Sequence, residues 1–341
     1  MSPKFKNPRA RHNFVGRTCS ITGIGSYVPE KILTNHDLER MVETSNDWIM
    51  TRTGIRQRRI AAKDEFTSDM AARAAQRAMK MAGVAAAQID LIIVATITPD
   101  MPFPATACLL QHKLGATRAA AFDLEAACSG FIYGLEIGQQ FIMSRTYDTV
   151  LVVGAEKLSA ITDWTDRNTC VLFGDGAGAV ILQNRENSHG LLTAVMGADG
   201  EKADLLFMPA GGSRHPAARS TVEARMHYLR MEGKETFKNA IQAMQSAATE
   251  VLRRCEIDIS RIKCVIPHQA NRRIIDAVGE RLGARPDQLF INLDKYGNTS
   301  AASVAIALDE AVASGKILRG DLILLMVFGA GLTWGAAVIE W

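Results

Sequence analysis

Several signatures of specialised protein classes are missing from this sequence. None of its six cysteines, at 19, 108, 128, 170, 255 and 264, stands in a Cys-x-x-Cys pair. No zinc knuckle or dithiol redox motif is therefore indicated, and no metal is expected. Scattered through apolar segments, the cysteines read as reduced thiols of a cytoplasmic protein. A net charge of +3 is too small to point to nucleic acid. There is no low-complexity tract. The start, "MSPKFKNPRARHNFVG" (1–16), has no apolar stretch and does not read as a secretory signal. It reads as a flexible tail or a contact arm. Positions 322–339, "LILLMVFGAGLTWGAAVI", carry no charge, close to the length of about 20 residues that a membrane span needs. Gly329, Gly331 and Gly335 interrupt the run, which fits two buried strands around a tight turn. No membrane association is expected.

Aromatics are also sparse, at 6%, and small aliphatic residues take their place. That mix suits close packing of helices on sheets. At about 150 residues per domain, 341 residues make two domains or one large one. Helices are expected over 67–83, which Gly83 stops, and over 234–255. Apolar strands are expected at 89–98, 149–156 and 321–328, and two strand pieces within 170–183. Strand 262–267 leads to helix 268–283, followed by strand 289–293 and helix 299–315. Near-continuous apolar strands alternating with helices predict an α/β fold with a buried, largely parallel sheet. A weak internal echo links "IDLIIVATI" with "IKCVIPHQA", and "VLFGDGAGAVIL" with "MVFGAGLTWGAAVI". Two similar halves follow, 17–187 and 188–341, joined through the polar "NRENSHG".

Candidate chemistry gathers at strand ends. In "DLEAACSGFIYGL" (123–135), Cys128 lies among small residues at the start of a helical apolar pattern. A buried cysteine is usually inert packing. At a helix N-terminus the free N–H groups favour a thiolate and a lowered pKa, which makes Cys128 a candidate nucleophile. "VIPHQAN" (265–271) presents His268 at a strand's carboxyl end, where open α/β sheets place ligands. "YGNTSAAS" (296–303) offers Asn298 either as a turn and cap residue or as a donor. "FGAGLTWG" (328–335) is either a plain hairpin or a backbone N–H aimed at an oxyanion. A dinucleotide site fits poorly. "GIGSYV" has Val28 where the last glycine belongs, and Pro29 blocks the helix that should follow.

These motifs, in this order, resemble the beta-ketoacyl-[acyl-carrier-protein] synthase III family of thiolase-fold condensing enzymes. So do "TSNDWIMTRTGIRQRRIAA", "TDR" and "FGDGAGAV"; the resemblance spans about 17–341. It implies a thiolase-like fold, two similar α/β halves in a five-layered αβαβα core. It implies a decarboxylative condensation of a short acyl-CoA with malonyl-[acyl-carrier-protein] by a cytoplasmic homodimer, with no cofactor beyond the coenzyme A thioester. Cys128 would accept the acyl group, and His268 and Asn298 would hold the malonyl thioester carbonyl. The N–H groups of Cys128 and Ala330 would form a second oxyanion hole. Coenzyme A would meet Thr44, Trp48, Arg52, Arg167 and Asn271. Phe103, reaching across the dimer, and Phe328 would bound the acyl pocket. Lys238, Arg272 and Arg273 would meet the acidic carrier protein. Three positions depart from the family pattern: Ala330 between two glycines, Asn168 where glycine is common, and Lys234 where asparagine is common.

Overall fold

The computed structural model describes residues 18–185 and 190–341. The tail 1–16 and the expected boundary at 187/188 lie outside the described residues. Strands β1 (Cys19–Tyr27), β2 (Leu91–Ala95), β3 (Ala120–Leu124), β4 (Thr149–Glu156) and β5 (Gly176–Asn184) form one sheet, in the order β1-β5-β4-β2-β3. Strands β6 (Leu191–Ala198), β7 (Cys264–Pro267), β8 (Leu322–Gly329) and β9 (Thr333–Glu340) form a second, in the order β6-β9-β8-β7. The second sheet repeats the first. Each begins with two antiparallel pairings and continues with a parallel one. The place of β3 is taken by Leu289, which makes a parallel bridge to Val265.

The sheets are mixed, not largely parallel as expected. A continuous apolar run reports burial on both faces and is silent on strand direction. Alternate residues serve opposite layers. In β4, Val150 and Val152 join a central cluster with Phe131, Leu135 and Val304, while Leu151 and Val153 face the other way onto Met70 and Ala74. In β8, Leu325 and Val327 point to the same central cluster, while Leu324 and Met326 pack on Met244 and Val251. The helices that matter below are α1 (Asn46–Thr53), α2 (Thr67–Ala82), α3 (Thr106–Leu114), α4 (Gly130–Met143), α5 (Gly233–Cys255), α6 (Arg272–Leu282) and α7 (Ala302–Ala313). Helices α4 and α7 fill the space between the sheets. Helices α2 and α3 cover the first sheet and α5 and α6 the second, which gives the five layers αβαβα.

The repeat extends to the loops. Between the first strand and the first long helix of each half lies a long connection, 28–66 and 199–232. Each contains a small antiparallel ribbon: Lys31–Thr34 with Gln57–Ile60, and Leu206–Phe207 with Arg230–Met231.

Three expected elements differ. Helix 268–283 begins only at Arg272, because His268 N–H still donates to Met326 O of β8 and Asn271 caps the first turn. Residues 289–293 form no strand. After one bridge the chain bends, and Asn292 N–H donates to the Gln269 side chain. The first piece of 170–183 is a helical turn, Arg167–Cys170, followed by a single bridge from Phe173 to Asn298.

Candidate active site

Cys128 stands where β3 hands over to α4. Ala127–Ser129 make one 3-10 turn, and Ala127 has φ 45°. That left-handed conformation costs a non-glycine residue on the order of 1 to 3 kcal/mol and persists only where packing enforces it. The enforcing neighbour is the end of β8. A Cβ on Gly329 would stand 2.7 Å from Cys128 N and 3.2 Å from Ser129 N, so only glycine lets the two halves meet here. The Thr333 hydroxyl lies 3.0 Å from Ala126 O and 2.9 Å from Ala330 O, pinning the β8–β9 turn to the cysteine loop.

His268 follows β7 directly. Its Nδ1 is 2.6 Å from the Ser303 hydroxyl of α7, which leaves Nε2 for the pocket. Burial pushes its pKa down to about 4, so the ring is neutral near pH 7. Asn298 is held by its own N–H to Leu172 O at 2.8 Å, and its Oδ1 accepts from Ser300 N–H at 2.8 Å. The amide oxygen is thereby occupied, which leaves the Nδ2 donors for the pocket that Asn298 lines. Cys128, His268 and Asn298 line one mostly apolar pocket together with Asn271, Phe237 and Phe328.

The thiol does not have the lowered pKa that its helix position suggests. Burial is the largest influence and pushes Cys128 up to about 12. Ser300 beside it acts downward, the Glu156 carboxyl acts upward, and the cysteine's own N–H acts downward. The sequence reading did not single out Ser300, Ser303 or Glu156. Both serines lie inside "GNTSAAS", and Glu156 closes the apolar run "TVLVVGAE". A carboxyl ending a fully buried strand was the available signal.

The other expected residues fall into three groups. Arg52 and Arg167 place their guanidinium carbons 5.6 and 5.1 Å from the Trp48 ring centre, and Arg167 donates to Glu43 O. The Thr44 hydroxyl is buried without a hydrogen-bond partner. Asn271 caps α6 through Arg273 N–H and donates from Nδ2 to Arg52 O, tying α6 to α1. Arg273 lies over the ring of the pocket-lining Phe237 at 5.4 Å, and Lys238 follows Phe237 on α5. Lys238 pairs with Glu235 and Arg272 with Asp276, each at 2.8 Å. Phe103 is 83% exposed on this chain, which rules out a core role within it. Among the described residues, no His, Cys, Asp or Glu cluster could hold a metal ion. No helix described is long and apolar enough to cross a membrane.

Two sheet-and-helix halves around a shared central layer define a thiolase-like α/β acyltransferase. The family model described as 3-oxoacyl-[acyl-carrier-protein (ACP)] synthase III matches residues 122–200, and the model of its C-terminal part matches 252–341. The chain belongs to the beta-ketoacyl-[acyl-carrier-protein] synthase III family. It is 58% identical to the synthase III of Caldanaerobacter subterraneus subsp. tengcongensis, over 94% of this chain and 97% of that one. It is 54% identical to that of Symbiobacterium thermophilum, over 95% and 98%. The crystal structure of 3-oxoacyl-[acyl-carrier-protein] synthase III from Aquifex aeolicus superposes with a TM-score of 0.88 at 48% identity, covering 95% of this chain and all of the other.

Proposed function

We propose that the protein starts type II fatty acid synthesis. It loads a short acyl group from an acyl-CoA onto Cys128 and joins it to malonyl-[acyl-carrier-protein]. The products are 3-oxoacyl-[acyl-carrier-protein], coenzyme A and carbon dioxide. The observation that carries this assignment is the convergence of Cys128, His268 and Asn298 on one apolar pocket, with the imidazole Nδ1 and the amide oxygen already engaged by protein groups.

In the first half-reaction the Cys128 sulfur attacks the thioester carbonyl. A new C–S bond forms, the bond to coenzyme A breaks, and coenzyme A leaves as a thiol with the proton that Cys128 gave up. In the second, the malonyl thioester loses carbon dioxide and the electron pair becomes an enolate. His268 Nε2–H and Asn298 Nδ2–H donate to the enolate oxygen, so no charged base is required. The enolate carbon attacks the acyl-Cys carbonyl, whose oxyanion meets the N–H groups of Cys128 and Ala330, and the cysteine sulfur leaves. Trp48, Arg52, Arg167, Thr44 and Asn271 would hold coenzyme A. Trp48 already lies beside two guanidinium groups, so an adenine ring stacking there displaces one of them. Lys238, Arg272 and Arg273 would meet the acidic carrier protein.

The protein is assigned as a cytoplasmic homodimer with Phe103 at the subunit interface. An aromatic ring this exposed, beside the exposed Met101, supports a partner surface. Six cysteines outside any disulfide fit a reducing compartment. The halves 17–187 and 188–341 are the units of this assignment, supported by the repeated strand order.

Half-reactions separate the proposed roles. His268→Ala and Asn298→Ala should still load an acyl group by intact mass, yet release labelled carbon dioxide from malonyl carrier protein about 100- to 1,000-fold more slowly. Cys128→Ala should not load but should retain decarboxylation. If Asn298→Ala decarboxylates at the normal rate, its donor role is wrong.

A further inference from the structure

Behind the loop of Asn298 lies a cation whose hydrogen bonds all go to uncharged acceptors. Arg58, in the ribbon strand Gln57–Ile60, is fully buried. Its Nη1 donates to Asn35 Oδ1 at 2.9 Å and to Leu33 O at 3.2 Å, and its Nη2 donates to Val171 O at 2.7 Å. Its Nε is buried without a partner. A guanidinium buried in this way is costly, and an apolar side chain of similar volume commonly serves stability as well or better. What the apolar side chain lacks is a rigid planar fork with donors at both ends.

The fork joins two parts of the chain. At one end Asn35 is itself fixed: its Nδ2 donates to Ile55 O at 2.8 Å and to Oδ1 of Asn46, the first residue of α1, at 3.1 Å. At the other end Val171 opens the segment 171–174, on which Asn298 rests. Asn298 N–H donates to Leu172 O at 2.8 Å, Phe173 makes its parallel bridge to Asn298, and Gly174 N–H donates to Asn298 O at 3.0 Å. Asp175 N–H, donating to Arg59 O at 2.8 Å, closes the far end of the segment. The stem of Arg58 lies against the same place. A Cβ on Gly297 would stand 3.3 Å from Arg58 Cβ, and one on Gly174 3.1 Å from it. The bond from Ser300 N–H to the Asn298 amide oxygen stays within the loop and moves with it. The backbone bonds to 171–174 are what tie that loop to the first half.

We propose that Arg58 is a positioning residue for Asn298, its guanidinium fork holding segment 171–174 where the Asn298 amide is aimed at the enolate oxygen. The proposal rests on Asn298 being an enolate donor. That oxygen becomes strongly negative only as carbon dioxide leaves, so a displaced amide lowers kcat and leaves substrate binding nearly unchanged.

The test is a double-mutant cycle on the full chain. Labelled carbon dioxide release from malonyl carrier protein is measured per Cys128 that acetyl-CoA acylates by intact mass, which discounts misfolded chains. Arg58→Lys puts one ammonium in place of the fork. It should lower kcat about 10- to 100-fold and leave KM for malonyl carrier protein within about twofold. In the Asn298→Ala background the same change should lower kcat by less than about threefold, because no amide remains to be aimed. A merely structural lesion acts alike in both backgrounds, so equal losses overturn the proposal. So does a wild-type kcat in Arg58→Lys, or a loss that falls on KM alone. If the lysine variant does not fold, Asn35→Ala takes its place in the cycle: it frees one end of the fork, and the same outcomes decide. Decarboxylation at the wild-type rate by Asn298→Ala removes the functional reading of that residue, whereas a slow Asn298→Ala with equal losses removes only the role of Arg58.

Discussion

At the scale of residues, the site is built from buried groups kept in their uncharged forms. His268 illustrates the energetic consequence. Its folded pKa of about 4 lies below the ordinary 6.5, so the unfolded chain binds a proton that the folded chain does not over that window. Stability from this residue is therefore complete above about 6.5 and is lost as pH falls toward 4. Glu156 has the opposite sign. Raised from 4.5 to about 7, it stabilises the fold below 4.5 and loses that contribution as pH rises through 7. Between pH 4.5 and 6.5 the two slopes oppose each other, so the wild-type curve alone hides them. The difference in unfolding free energy between wild type and His268→Gln should grow by about 3 kcal/mol from pH 4 to 6.5. Urea midpoints across that range check it; a flat difference would mean that His268 titrates normally.

At the scale of elements, the approach of β8 to the cysteine loop holds the site closed. Gly329→Ala places a methyl 2.7 Å from Cys128 N, against backbone that has no rotamer to yield. We expect about 1 to 3 kcal/mol of destabilisation and a loss of acyl loading on the order of 100-fold, checked by denaturant melts and intact mass. Loading at the wild-type rate would show that the loop tolerates displacement. Which elements were legible follows from which signals are local. The helix at 67–83 carried its own stop in Gly83, which adopts the left-handed cap, and β4 matched its apolar run at both ends. Strand direction was not legible, because apolar patterning reports burial alone. Nor was the loss of strand 289–293, which turns on a side-chain bond from distant Gln269. The site divides the same way. Cys128, His268 and Asn298 sit in motifs and could be named. Ser303 behind the imidazole and the effect of burial on the thiol depend on packing between α7, β7 and α4, which no short stretch of sequence contains.

At the scale of the whole molecule, Phe103 is the residue least explained by one chain. Phe103→Thr removes little intrachain packing, so the melting of dilute monomer should change little, within about 0.5 kcal/mol. In the proposed dimer, the same change should weaken association in sedimentation and lengthen the acyl-CoA chain accepted. An unaltered dimer with an unaltered chain-length profile would place Phe103 outside both interface and pocket. The clamp at Thr333 has its own consequence for how the protein comes into being. Cys128 leaves the ribosome long before His268 and Asn298, and Thr333 comes later still, in the last strand, β9. A nascent chain can hold the Cys128 thiol, the imidazole and the amide and still lack the hydroxyl that fastens the Ala126 carbonyl beside them. In such a chain nothing yet pins the β8–β9 turn to the cysteine loop.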